Sequence, residues 1–232
     1  NILASANATG TSYEAYAYAS LESAGIYQNA ESYDGDATAS LTNSGTINVV
    51  SHAVASAENY AQASAWQSAV GISQYATADG SGVTADAGIT NSGTLNIVAQ
   101  AEAVGSSAYA YAHMSTGLYQ YAYADSGDAN VGLSNSGTLN IQSLAAATAT
   151  SGYAEATASM EYGGISQEAD AYWGDANVNL TNSGTINVVA GASADAAYYA
   201  DASATLSYAG IHQSAYAYGS DVTADASLTN TG

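Results

Sequence analysis

The chain has no lysine and no arginine, yet its 232 residues include 20 aspartates and glutamates, for a formal charge of −20. A surface without cations cannot neutralise phosphate, so nucleic acid is excluded as a partner, and an anionic membrane surface is disfavoured on the same ground. The same lack excludes the chemistry of those β-helical lyases that set a basic residue against an acidic sugar. It also removes every trypsin-type cleavage site, which suits a protein exposed outside the cell. Cysteine is absent, so there are no disulfides and no thiolate metal sites. No apolar run approaches the roughly 20 residues that a membrane-spanning helix needs. Phenylalanine is also absent beside 20 tyrosines and 2 tryptophans. Aromatic groups filling a core would include some phenylalanine, so these rings are expected at the surface.

What the chain does contain is repetition. Asn-Ser-Gly-Thr recurs at Asn43, Asn91, Asn135 and Asn182, with a shortened Asn230-Thr231-Gly232 at the end. A second mark, Gly-(Ile/Leu)-x-Gln, recurs at Gly25, Gly71, Gly117, Gly164 and Gly210, again at a period of about 46 residues. The two marks share one pattern, with an apolar residue four before the glycine and an Ile or Leu just after it, as in Leu21 to Ile26 and Leu41 to Ile47. Counted together, the glycines fall about every 23 residues, the length of one solenoid turn. The expectation is therefore an all-β parallel β-solenoid (β-helix) of about ten coils, arranged as five coil-pair repeats over residues 1–232. At about 4.8 Å per coil it would be roughly 48 Å long.

Alternation assigns the faces, because successive residues of a strand point to opposite sides. Leu41, Asn43, Ile47, Val49, Ser51, Ala53 and Ala55 share one phase, and alanine keeps to that apolar phase throughout. Alanine is thus the core residue, and a core so small in volume predicts a thin, flattened cross-section. Corners are expected at Asp34-Gly35-Asp36, Ser126-Gly127-Asp128 and Trp173-Gly174-Asp175, where Gly and Asp supply turn geometry. Asn43, Asn91, Asn135, Asn182 and Asn230 fall on the inner phase, and there they either form an amide ladder or cap a turn. Gln28, Gln74, Gln120, Gln167 and Gln213 are a second candidate ladder, placed in the alternate coils.

Tyr16, Tyr18, Tyr109, Tyr111, Tyr121, Tyr123, Tyr216 and Tyr218 alternate with inner alanines, which sets them outward as columns on one face of the rod. Such columns can stiffen the rod by stacking, offer an adhesive or lateral packing surface, or, as a remoter idea, conduct electrons. His52, His113 and His212 stand alone in the sequence, and no nucleophile, base or phosphate-cradling pattern repeats, so the chain is not expected to be an enzyme. One ion site is a candidate. Asp36, Asp128 and Asp175 each precede a repeat asparagine by the same interval, with Asp221 and Asp79 at neighbouring corner positions. The runs Gly127 to Val131 and Gly174 to Val178 resemble part of the calcium-binding nonapeptide of repeats-in-toxin proteins. Ca²⁺ is therefore the only candidate cofactor, against the alternative of solvated turn carboxylates.

The run Leu-Thr-Asn-Ser-Gly-Thr-Ile-Asn-Val, at Leu41 to Val49 and again at Leu180 to Val188, resembles the coil repeats of filamentous haemagglutinin-type adhesins and related bacterial autotransporter passengers. That resemblance implies a secreted, right-handed parallel β-helix at a bacterial surface. The alanine-tyrosine alternation and the missing basic residues depart from it and favour a fibre over receptor binding. Residue 1 matches Asn48 and residue 232 matches Gly45, so neither end carries a distinct cap. The chain is expected to be either an excerpt of a longer array or a protomer that stacks head to tail, with lateral bundling as a further self-association. The function expected is a structural subunit of an extracellular, bacterial fibre or matrix. The alternatives are the shaft of a secreted adhesin and, ranked last because the threonines are not paired, an ice-binding solenoid.

Overall fold

The computed structural model describes residues 1–10 and 13–232. Among the described residues there are twenty strands and no helix, and the strands form four five-stranded parallel sheets. This is a parallel β-solenoid. In the second coil the strands run Thr46–Ala57 in sheet I, Tyr60–Gln67 in sheet II, Ile72–Ser81 in sheet III and Ala85–Asn91 in sheet IV. Each sheet gains its next strand only when the chain has passed through the other three.

That order corrects the coil count. Ile47 pairs with Leu95, and Asn43 with Asn91, so one turn consumes the whole repeat. The solenoid has five coils of about 46 residues, not ten of about 23, and stacks to about 24 Å instead of 48 Å. The two glycine marks are not equivalent corners of successive coils. They are breaks in the two opposite walls of a single coil.

Sheet IV continues into sheet I across the Asn-Ser-Gly break, forming one wall. Sheet II continues into sheet III across the Gly-Ile break, forming the other. The expected corners at Asp34–Asp36, Ser126–Asp128 and Trp173–Asp175 carry the chain from sheet III to sheet IV, and Trp173 has a φ of 67° there. The opposite edge turns at Glu58-Asn59 in the second coil and at its equivalents in the later coils.

Side-chain volume shapes the cross-section. Between sheets I and II the core is alanine alone, with Ala53, Ala63, Ala101 and Ala110 fully buried. Between sheets III and IV it is alanine with a few valines. Facing strands there bring Cα atoms within 8 Å, closer than the roughly 10 Å of ordinary stacked sheets. The middle is wider and holds Ile72, Leu95, Ile97, Met114, Leu118 and their equivalents in the other coils. At that place a Cβ on Gly117 would collide with Ile141 of the facing wall, so the glycine lets the large side chain rest on bare backbone. On the opposite wall a Cβ on Gly93 would fall onto the carbonyl oxygen of Gly45 in the coil before it.

Candidate functional site

Two amide columns run through the interior. Asn43 Nδ2 donates to Asn91 Oδ1 at 2.8 Å, Asn91 to Asn135 at 2.7 Å, Asn135 to Asn182 at 2.7 Å and Asn182 to Asn230 at 2.7 Å. The second proton of Asn43, Asn91 and Asn135 goes to the carbonyl of Thr94, Thr138 or Thr185. In the other wall Gln74 Nε2 donates to Gln28 Oε1 at 2.7 Å, Gln120 to Gln74 at 2.8 Å, Gln167 to Gln120 at 2.9 Å and Gln213 to Gln167 at 3.1 Å. The glutamines thus lie in the same coils as the asparagines and not in alternate ones. A third column, Asn1, Asn48, Asn96, Asn140 and Asn187, forms an outer-face ladder at 2.7 to 2.8 Å. Its regular spacing was visible in the sequence, but its outward phase gave no reason to look for it.

The two walls present different chemistry outside. Every one of the 20 tyrosines lies in the wall of sheets II and III or at its corners and breaks. Tyr16, Tyr18, Tyr216 and Tyr218 are exposed, while Tyr109, Tyr111, Tyr121 and Tyr123 are half-buried on the same outer face. They are not stacked in pure columns, because Tyr16 pairs with Gln62 and Tyr121 with Glu168. Some rings meet on diagonals, as in Tyr16 to Tyr60 at 5.5 Å and Tyr60 to Tyr109 at 5.2 Å, and others in register, as in Tyr172 to Tyr218 at 4.9 Å. Carboxylates fill the intervening places. Tyr121 donates to Asp170 at 3.1 Å and Tyr111 to Glu155 at 3.3 Å. Burial, then the charge and hydrogen bond of Glu155, push the Tyr111 hydroxyl up to about 12. Tyr119 and Tyr121 are raised by burial first and then by Glu168 and Asp170, respectively.

The wall of sheets IV and I is tyrosine-free, and its central strip from Ser40 to Val50 carries no carboxylate in any coil. Thr42, Ser44 and Thr46 point outward in a row, and the row recurs as Thr90, Ser92 and Thr94 in the next coil. On a molecule of charge −20 this is the uncharged face.

The candidate ion residues are corner groups that tie coil to coil. Asp36 Oδ1 accepts the Thr84 N–H at 2.8 Å, Asp128 accepts that of Asp175 at 2.9 Å, and Asp175 accepts that of Thr223 at 2.8 Å. Asp221 sits at a positive φ of 59°. Among the described residues these aspartates are not gathered with two or more further acidic or histidine side chains.

His113 is not isolated, as the sequence had suggested. Its Nδ1 is 2.9 Å from Ser159 Oγ, its Nε2 is 3.7 Å from Glu161, and its ring lies 4.9 Å from that of Trp66. The serine, histidine and acid come from neighbouring coils, so only the coil register brings them together. Ser159 stands in a strand paired on both sides, which leaves no backbone donors turned toward an oxyanion, and the group lies on an open face. Among the described residues two buried polar groups are orphans. His52 Nε2 and both amide atoms of Gln67 find no hydrogen-bond partner there, and Gln67 stands in a column otherwise made of Leu21, Met114, Met160 and Leu206.

At the last coil the core is uncovered. Ile186, Val188, Ile211, Leu228 and Asn230 line an open cleft of about 460 Å³ that continues the interior of the coils below it. No family model, curated protein or solved structure matches the chain.

Proposed function

We propose that this chain is a structural element of an extracellular, bacterial fibre or matrix, built by axial stacking of solenoid coils. The observation that carries this reading is the register of the coils, each of which sets its asparagine, its glutamine and its large central side chains directly on those of the coil before it. Regularity along the axis is the property that every ladder serves. The coil pattern that resembles adhesin and passenger repeats supports a place at the cell surface.

Electron microscopy and fibre diffraction of the concentrated chain test the reading. Unbranched filaments with a reflection near 4.7–4.8 Å along the filament axis are expected. A chain that stays a single short rod at high concentration would overturn it.

The uncharged hydroxyl strip favours a second reading, in which that wall binds an ordered, neutral, hydroxylated surface such as ice. Thr42, Ser44 and Thr46 stand in one outward row, which makes up for the absence of paired threonines in the sequence. Thermal hysteresis of the solution, abolished by Thr90→Tyr, is its test.

A further inference from the structure

The wall of sheets IV and I is the broad face on which a copy of the same charge meets least repulsion. Four complete rows cross it, Ser40 to His52, Gly88 to Gln100, Gly132 to Leu144 and Asn179 to Gly191, and strand pairing holds them in register. None of the four rows contains a carboxylate. The tyrosine wall is the reverse, because Glu14, Glu31, Glu155, Glu168, Asp170 and Asp201 stand on its outer phase. Its register also shifts, between Ala124 and Ser126. On a chain of charge −20, two rods therefore approach most easily with their uncharged walls face to face.

The outward columns of this wall are complementary to themselves. Thr42, Thr90, Ser134 and Thr181 make one column and Thr46, Thr94, Thr138 and Thr185 another, and a hydroxyl both donates and accepts. In the next column Asn96 donates to Asn48 and accepts from Asn140, which leaves it one N–H and one lone pair to offer forward. Beside the asparagines stands an aliphatic column of Leu3, Val50, Val98 and Val189, interrupted by Gln142. Leu3 is 62% exposed and Val189 38%, so this column is apolar surface that a facing wall would take from water. Four rows about 4.8 Å apart, each about 40 Å long at 3.3 Å per residue, give roughly 800 Å². That matches the roughly 800 Å² that each partner contributes to a stable protein pair.

We infer that two copies of this chain pair side by side through these rows, uncharged wall on uncharged wall. The inference rests on the fibre reading above and names the face by which its rods associate. A copy turned about an axis along the strands lays every column on its own kind, aliphatic on aliphatic, hydroxyl on hydroxyl and amide on amide. The two solenoid axes then run in opposite directions. A copy turned about the solenoid axis, through the middle of the strip, would instead lay the Val50 column on the Thr42 column and bury hydroxyls against valine, which is costly. The contact is isologous, so it closes at two rods and leaves both tyrosine walls outside. Asp86 and Glu102 flank the rows at their two rims, so the pair tightens as salt screens them.

Electron microscopy in about 0.15 M salt, where the screening length is about 8 Å, reads the two contacts separately. Length reports axial stacking and width reports pairing. The wild-type chain is expected to give filaments two rods across. Thr90→Asp combined with Thr181→Asp places charge at two exposed positions of the uncharged wall, and is expected to give filaments of undiminished length and one rod across. Tyr18→Asp combined with Ser203→Asp adds the same charge to the tyrosine wall and is expected to keep the pairs. Sedimentation measures pairing even where axial stacking fails, because a lateral pair then weighs twice the 23.1 kDa of one chain. Wild-type rods that stay single in both width and mass would overturn the inference, and thermal hysteresis from such single rods would give the wall to ice instead. Pairs that persist in the Thr90, Thr181 variant, or that vanish in the Tyr18, Ser203 variant, would overturn it too. Wild-type pairs that never lengthen would overturn axial stacking and leave the lateral contact intact.

Discussion

Asn91 Nδ2 donates 2.7 Å to Oδ1 of Asn135, the residue paired with it in the next coil, and both side chains are buried between the walls. Each amide is spent twice, once along the ladder and once on the carbonyl closing the Asn-Ser-Gly break. Asn135→Ala leaves Asn91 without its acceptor and Asn182 without its donor. The expected loss is on the order of 2–4 kcal/mol, the cost of unpaired buried groups. Asn230→Ala, at the exposed end of the same column, should cost far less. Denaturant melts of the two variants compare them directly, and equal losses would show that the ladder carries no stability.

Gln67 offers the opposite case. Among the described residues neither atom of its buried amide is paired, and it lies between Leu21 and Met114 in its column. Gln67→Met matches the neighbouring coils and removes the unpaired group, so the protein should gain about 1–3 kcal/mol. A melting temperature that falls instead would mean that the amide is satisfied in solution.

The alanine edges have no spare room. Ala110→Leu, between sheets I and II, is expected to cost about 1–3 kcal/mol by overpacking. Tyr18→Ser, on the exposed face of the same sheet, should shift the melt by no more than about 0.5 kcal/mol. Alanine changes that proved silent would reverse the assignment of inside and outside.

Alkaline stability follows from the half-buried phenols. The hydroxyls of Tyr111, Tyr119 and Tyr121 are raised in the folded state, so the neutral form is favoured there. Below the unfolded value, about 10, this contribution is fully present. Above it the unfolded chain loses protons first, so stability declines as the pH rises toward the folded value of about 12 at Tyr111. Melts across pH 9–12 should fall in step with phenolate absorbance. Tyr111→Phe, Tyr119→Phe and Tyr121→Phe combined should flatten that fall.

Twenty carboxylates without a lysine or arginine repel along and between rods. Raising the ionic strength from 0.01 M to 0.15 M shortens the screening length from about 30 Å to about 8 Å, so lateral association should increase. Light scattering reads the change. Because each corner aspartate in question already holds a backbone N–H or turns a corner, EDTA should leave the melting temperature where it is. A large drop on chelation would restore calcium to the corners.

Much of this protein follows from local pattern. Period-two alternation decided that Ala53 faces in and Tyr18 faces out, because a strand has only two sides. The fixed recurrence of Asn43 and Gln28 on the inner phase marked both interior columns, since a buried amide repeated at one place needs its own kind above and below. Coil length was not decided there. Leu21 to Ile26 and Leu41 to Ile47 look like one signal, because each is an extended segment broken by glycine and flanked by apolar residues. Only strand pairing separates them. Ile47 stacks on Leu95 and Ile26 on Ile72, which makes the two breaks opposite walls of one turn. The meeting of His113 with Ser159 and Glu161, the isolation of Gln67, and the opposite senses of the two ladders also belong to the tertiary structure. Each depends on which residue the neighbouring coil or facing wall places within about 3–4 Å, the reach of a hydrogen bond or ion pair, and a single strand carries no record of its neighbour.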